Sequence, residues 1–180
     1  MWLAKFIFQN LMGWSIDGYF SKHVLKTVVI VLPHTSWHDF YVGAFARKIL
    51  NVQINYVAKK ELFDSPFGWY FKWMGGEPID RTSKQNKVEQ IVHMFESHQE
   101  FRLAIAPEGT RKKVDSWKTG FYYIAQSAKV PVTPVAFDYK TKTVRIGKPF
   151  YTTGNYKEDL NTVRLFYEGV VGKVPEYTSL

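Results

Sequence analysis

Cysteine is absent from the 180-residue chain. That excludes a disulfide framework, a thiolate nucleophile, a Cys-ligated zinc site and any Cys-linked lipid. Long apolar runs are missing as well. No stretch approaches the ~18 consecutive apolar residues that a membrane-crossing helix needs, so a soluble or surface-bound protein is expected. Acidic side chains are scarce beside basic ones: 16 Asp and Glu stand against 24 Lys and Arg, a formal net charge of +8. Such an excess suits an anionic partner without choosing among nucleic acid, anionic lipid and a phosphorylated substrate. There is no Walker-type phosphate loop and no G-x-G-x-x-G, which disfavours nucleotide binding. No G-x-S-x-G elbow occurs to present a serine nucleophile. His34 and His38 are four apart, but the H-E-x-x-H pattern and a third ligand are lacking, so no metal site is expected.

What is present is a globular composition, 46% hydrophobic and 17% aromatic. Aromatic rings together with basic charge lean toward a membrane interface, where Trp and Tyr sit at headgroup level. Stacking on single-stranded nucleic acid would draw on the same two ingredients. Residues 1–14 read as a short helix closed near Gly13, with Lys5, Gln9 and Asn10 as a narrow polar stripe. Either that helix packs on the domain or it dips its aromatic face into lipid, and both can hold at once.

From Lys26 onward the pattern alternates. Residues 27–32 form a β-branched run of buried-strand type. Helical spacing follows from Trp37 to Phe45, then a strand over 52–58 and an aromatic-rich helical stretch over 63–74. A short strand near 77–79 precedes an amphipathic helix with Val88, Ile91, Val92 and Phe95 on one face. Residues 102–106 make the next strand, 117–128 a helix and 132–137 another buried strand. A tight turn at 139–141 leads into 144–146 as an antiparallel edge hairpin, and a last helix covers roughly 157–171. Strands alternating with helices predict an α/β fold with a largely parallel central sheet flanked by helices. No repeat or linker interrupts it, so a single domain over 1–180 is expected.

In open α/β sheets, ligands bind outside the carboxyl ends of the strands. Four polar clusters directly follow predicted strands: residues 33–39, Lys59-Lys60-Glu61, Asp80-Arg81 and residues 107–111. With parallel strands all four reach one edge. His34 leaves a strand end and Asp39 falls in the first turn of the next helix, so the carboxylate can accept Nδ1–H and leave Nε2 as a base. The plainer alternatives are a solvated loop His and an acid placed to suit the helix dipole. Gly109 permits a tight backbone turn. Arg111 offers a planar fork for phosphate or carboxylate, with Glu108 able to hold that fork in place. Lys112 and Lys113 read as a solvated run.

These residues resemble the 1-acylglycerol-3-phosphate acyltransferases, within the wider glycerolipid acyltransferase superfamily. Four blocks occur in the family's order. Pro33-His34 through Asp39 is similar to N-H-x-x-x-x-D, and Gly76-Glu77-Pro78-Ile79-Asp80-Arg81 to the glycine-led I-D-R block. Glu108-Gly109-Thr110-Arg111 is an intact E-G-T-R, and Val130-Pro131-Val132-Thr133-Pro134 is the V-P-[IV]-x-P strand. The likeness runs from about Lys26 to Pro149. Two departures stand out: Pro33 replaces the usual Asn, and the N-terminal membrane portion is brief.

The resemblance implies an O-acyltransferase working without an acyl-enzyme. His34 would deprotonate the free hydroxyl of a 1-acylglycerol-3-phosphate and Asp39 would orient it. The acyl group would come from acyl-CoA or acyl-acyl carrier protein, a co-substrate in place of any bound cofactor, and the product would be phosphatidic acid. Arg111, with Glu108, Gly109 and Thr110, is implied as the phosphate clamp, with Arg81 and Lys59 as helpers. The V-P-[IV]-x-P strand would shape the acyl pocket. Phe67, Trp69, Tyr70, Phe71 and Trp73 would line the acyl site or the membrane face, or form ordinary helix core. The expected partners are a lysophospholipid, the acyl donor and an anionic membrane surface, not nucleic acid. The expected location is peripheral, on the cytoplasmic face of the cell membrane with no transmembrane helix. Within the superfamily the acceptor could instead be glycerol-3-phosphate, another lysophospholipid or an acylamino-acid hydroxyl. A non-catalytic lipid-binding module and a basic nucleic-acid binder are the readings from other classes.

Overall fold

The chain enters through α1 (Trp2–Phe6), which loosens into a π-helical turn (Ile7–Leu11) before a short strand β1 (Ser15–Asp17). The structure, a computed structural model, describes residues 2–80 and 86–179. Next comes β2 (Lys26–Leu32), whose Val28, Ile30 and Leu32 enter one core while Val29 enters the other. The two-residue pitch of a strand serves both faces at once, so a continuous apolar run marks a central strand. The helix α2 (His38–Leu50) ends at Asn51, which takes the left-handed conformation common just past a helix.

Beyond it lie β3 (Tyr56–Lys59), α3 (Lys60–Phe63), α4 (Gly68–Trp73) and β4 (Gly76–Ile79). An Asn86 side chain caps α5 (Lys87–Ser97) by accepting from the Val88 N–H at 3.0 Å. The remaining elements are β5 (Phe101–Ile105), α6 (Gly120–Ala128), β6 (Val132–Asp138), β7 (Thr143–Ile146) and α7 (Tyr156–Phe166).

Five strands form the main sheet in the order β1-β7-β6-β2-β5, with β2 parallel to both β5 and β6. β3 and β4 pair in parallel as a second, two-stranded sheet, joined to the main one by the parallel bridge Asn55↔Leu103. Helices cover both faces. Phe95 of α5, Phe121 and Ile124 of α6 and Val163 of α7 pack on one side. Phe8 and Trp14 from the N-terminal segment, with Val42 and Ala46 of α2, pack on the other.

The predicted α/β architecture is therefore the observed one, with local differences that have physical causes. β1 was not expected: three residues, Ser-Ile-Asp, carry no periodicity, and they pair with β7 through the backbone. The hairpin strand β7 is antiparallel to β6 as predicted, but β1 lies outside it at the sheet edge. The strand expected over 52–58 becomes regular only at Tyr56, because the Val52 N–H turns back to the Arg47 carbonyl at 3.1 Å. The helical stretch over 63–74 is broken around Pro66 into α3 and α4. The last helix stops at Phe166.

The fully buried Tyr167 donates its hydroxyl to the Ile30 carbonyl at 2.8 Å and so ties the segment after α7 to the central strand. Tyr167→Phe is expected to lower the unfolding free energy by about 1–2 kcal/mol in denaturant titrations, with the circular dichroism spectrum unchanged.

Candidate active site

Because β2 and β5 are parallel neighbours, their carboxyl ends leave the sheet side by side. β2 stops at Leu32, and the chain crosses a cis Leu32–Pro33 peptide to His34. Asp39 sits in the first turn of α2, 2% exposed. Its Oδ2 accepts the Ser36 N–H at 2.9 Å and lies 3.0 Å from His34 Nδ1. Its Oδ1 accepts the Tyr139 hydroxyl at 2.7 Å. With Nδ1–H donated to a carboxylate, Nε2 is left as the ring nitrogen that can accept a proton. The helix-dipole reading of Asp39 and the imidazole-partner reading are satisfied by the same placement.

Glu108 takes a position the sequence did not suggest. It is 1% exposed, and its Oε2 accepts the His34 backbone N–H at 2.7 Å. Its Oε1 has no hydrogen-bond partner. The expected Glu108–Arg111 contact is not formed. The reason is the backbone at Gly109, whose φ of +64° reverses the chain, sending the glutamate inward while Thr110 and Arg111 are left exposed. That left-handed turn favours glycine. Burial lifts the Glu108 carboxyl to about 7; the His34 N–H bond and the nearby imidazole pull it down, and the Asp39 charge pushes it up.

Beneath the His34–Asp39 pair lies an apolar cavity of about 310 Å³. Val29, Val31, Val135, Phe137, Val144 and Ile146 of the sheet form its floor. Phe40, Gly43, Ala44 and Leu50 of α2 form the facing wall, and His34, Asp39 and Arg111 line it as well. Arg47 closes part of this wall, its guanidinium donating to the Met74 carbonyl at 2.6 Å and the Ile54 carbonyl at 3.3 Å. The V-P-x-x-P strand thus reaches the cavity through its continuation, Val135 and Phe137.

The aromatic run of α4 does not line it. Phe67, Trp69 and Trp73 are 67–71% exposed, which places them neither in the cavity nor in the core but on the surface. Lys59, at the end of β3, is exposed and is not among the cavity residues. Arg81 lies outside the described residues.

Tyr139 was missed as a site residue, although a signal existed. Asp138-Tyr139 directly follow the buried strand expected over 132–137, which runs parallel to β2, so they emerge at the same edge as the other polar clusters. The Ser36 N–H has no such signal, since a backbone donor has no residue type to betray it.

An imidazole held by a buried carboxylate, beside a cation and above an apolar cavity, can take a proton from a hydroxyl while seating a long apolar chain. It stands at the carboxyl edge of a parallel sheet, where α/β proteins bind their ligands. The Acyltransferase family model matches residues 18–138, and the chain belongs to that family. It is 33% identical over 135 residues to the 1-acyl-sn-glycerol-3-phosphate acyltransferase of Streptococcus pneumoniae, covering 71% of this chain and 50% of that one. The Bacillus subtilis protein of the same name is 31% identical over 132 residues, covering 72% and 62%. The chain therefore spans between half and two thirds of the length of these relatives. The crystal structure of the 1-acyl-sn-glycerophosphate acyltransferase from Thermotoga maritima superposes with a TM-score of 0.57 at 19% identity, over 94% of this chain and 78% of that one. This last likeness is one of fold.

The raised Glu108 carboxyl has a consequence for stability. A folded value near 7 against an ordinary 4.5 means that the protonated form is favoured by folding. The contribution is complete below about pH 4.5 and is lost as pH rises through about 7. The wild type should lose roughly 3 kcal/mol of unfolding free energy between these limits relative to Glu108→Gln. Parallel stability curves for the two proteins would refute this.

Proposed function

We propose that the protein transfers a fatty acyl group from acyl-CoA or acyl-acyl carrier protein to the free hydroxyl of 1-acylglycerol-3-phosphate, yielding phosphatidic acid. The observation that carries this reading is the His34–Asp39 pair, 3.0 Å apart, sharing one apolar cavity with Arg111. His34 Nε2 takes the acceptor's hydroxyl proton as the oxygen attacks the thioester carbonyl carbon. The new C–O bond forms, the C–S bond breaks, and the imidazolium returns its proton to the departing thiolate. Asp39 holds the ring in the required tautomer and balances the imidazolium charge. Glu108 fixes the main chain of His34. Two bound substrates aligned in this way can draw much of their rate from orientation alone.

The acyl chain fits the apolar cavity, whose lining is hydrophobic apart from His34, Asp39, Asn55, Tyr56, Arg47 and Arg111. Arg111, exposed and without an ion pair among the described residues, is available for the acceptor's phosphate. Arg81 and Lys59 serve as further phosphate contacts in this reading. Phosphate recognition favours a phosphorylated acceptor over a neutral one.

The site works at a membrane surface on the cytoplasmic side. Among the described residues no helix is long and apolar enough to cross a membrane. Exposed rings instead cluster on short helices: Trp2 and Phe6 at the N-terminus, with Phe67, Trp69 and Trp73 around α4. Exposed Lys60 and Lys72 accompany the second group. Aromatic side chains beside lysines suit the headgroup layer of an anionic bilayer.

The purified protein should release thiol from acyl-CoA in the presence of 1-acylglycerol-3-phosphate. His34→Ala should lower kcat by about 10²–10⁴-fold, and an unchanged rate would end the mechanism. Arg111→Ala should raise KM for phosphorylated acceptors and leave neutral ones unaffected; equal damage to both would remove the phosphate assignment. In flotation with anionic vesicles, the double substitution Trp69→Ser and Trp73→Ser should reduce the bound fraction, whereas binding at the wild-type level would show that α4 is not a lipid contact.

A further inference from the structure

Trp14 and Tyr139 both fall just outside residues 18–138, the stretch matched by the family, one before it and one after. The fold brings them together, ring centres 4.8 Å apart and edge to face. Trp14 closes the N-terminal helical segment and is 5% exposed. It packs on Phe8 at 6.0 Å, and Phe8 in turn stacks on Phe45 of α2 at 6.1 Å. Tyr139 is the first residue past β6 and is half-buried. Its ring also has the Lys173 ammonium 5.8 Å from the centroid, and its hydroxyl donates to Asp39 Oδ1 at 2.7 Å.

The two oxygens of Asp39 are not used alike. Oδ2 serves both the Ser36 N–H and the His34 ring, while Oδ1 has the Tyr139 hydroxyl as its hydrogen-bond donor. The χ2 torsion of an aspartate is broad and nearly two-fold, so the backbone donor alone leaves the carboxylate free to rock about that bond. A donor on the second oxygen removes the freedom and keeps an Oδ2 lone pair directed at Nδ1. Burial first, then the bond to Asp39 and its charge, push the Tyr139 phenol well above its ordinary range. At neutral pH it is therefore protonated and a donor to Asp39. Neither Tyr139 nor Trp14 borders the apolar cavity beneath His34.

We propose that Tyr139 is a positioning residue for the His34–Asp39 pair, and that the N-terminal segment acts on this pair through the packing of Trp14 against the Tyr139 ring. The proposal rests on the reading of His34 as the base of an acyl transfer and deepens it. The same N-terminal segment that exposes Trp2 and Phe6 thereby reaches the reacting centre by one ring contact and one hydrogen bond.

The test is steady-state kinetics of the full chain with saturating acyl-CoA and 1-acylglycerol-3-phosphate. Tyr139→Phe, which keeps the ring, should lower kcat about 10-fold, with both KM values within about twofold and the melting temperature reduced only as far as one lost hydrogen bond to a buried carboxylate accounts for. Trp14→Leu should lower kcat in the wild-type background and cost nothing further in the Tyr139→Phe background, since coupled residues are not additive. A Tyr139→Phe protein with wild-type kcat, or one whose loss appears in KM while kcat is kept, would overturn the positioning role. Fully additive losses would overturn the route through Trp14. A wild-type chain inactive with every thioester and hydroxyl acceptor would bring down the functional reading itself, whereas an active wild type beside an unaffected Tyr139→Phe would sink this inference alone.

Discussion

Between the ends of two neighbouring parallel strands, a buried carboxylate accepts one backbone N–H. Glu108 leaves β5 and His34 leaves β2, and the 2.7 Å contact between them holds the loop that carries the imidazole. An acid sealed at 1% exposure with one unpaired oxygen is costly in a protein interior. Burial offsets part of that cost by lifting the carboxyl to about 7, so that it can take up a proton near neutral pH. Everything else in the site is arranged around that fixed point. The three-residue turn after His34 can then close on itself, with Asp39 reaching back to both Ser36 and the ring. If the main chain at His34 were free, the imidazole would have a partner but no defined place.

The sheet divides its labour by face. On the α5–α6–α7 side, aromatic and aliphatic residues interlock around Phe101 and Leu103, both fully buried. On the α2 side, small residues Gly43, Ala44 and Ala46 face Val29, Val135 and Phe137, and the gap between them is the cavity. The same central strands supply both faces, so the well-packed side gives rigidity to the side that is hollow. Side chains carried at the ends of such strands are held in place relative to the cavity beneath them, as the proposed acyl transfer between two separate substrates requires.

Much of this was legible in the residues. β-Branched runs over 27–32 and 132–137 marked central strands, and helical spacing after Trp37 placed Asp39 in a first turn; all three appear in the structure. The grouping of His34, Asp39 and Arg111 followed from one rule, that parallel strands deliver their carboxyl ends to one edge. Short elements were less visible. β1 has three residues and pairs by backbone alone, and a backbone bond leaves no mark on residue choice. Residue order points Glu108 to the nearby Arg111, yet its partner is the His34 backbone N–H. The left-handed turn at Gly109 instead separates those two side chains, leaving Glu108 buried and Arg111 exposed at the cavity. The aromatic run at 67–73 was ambiguous for a related reason: hydrophobicity announces a surface to be covered, without saying by what.

By itself the sequence determined the α/β class, the central strands and the gathering of His34, Asp39 and Arg111 at one edge. Those properties follow from local periodicity and strand direction, which every residue carries with it. Tertiary structure alone decided which acid meets which partner, that Tyr139 completes the Asp39 carboxylate, and that the hollow lies under α2. Such choices are made by side chains far apart in the chain, 100 residues in the case of Tyr139 and Asp39, and direction and distance in space have no counterpart in residue order.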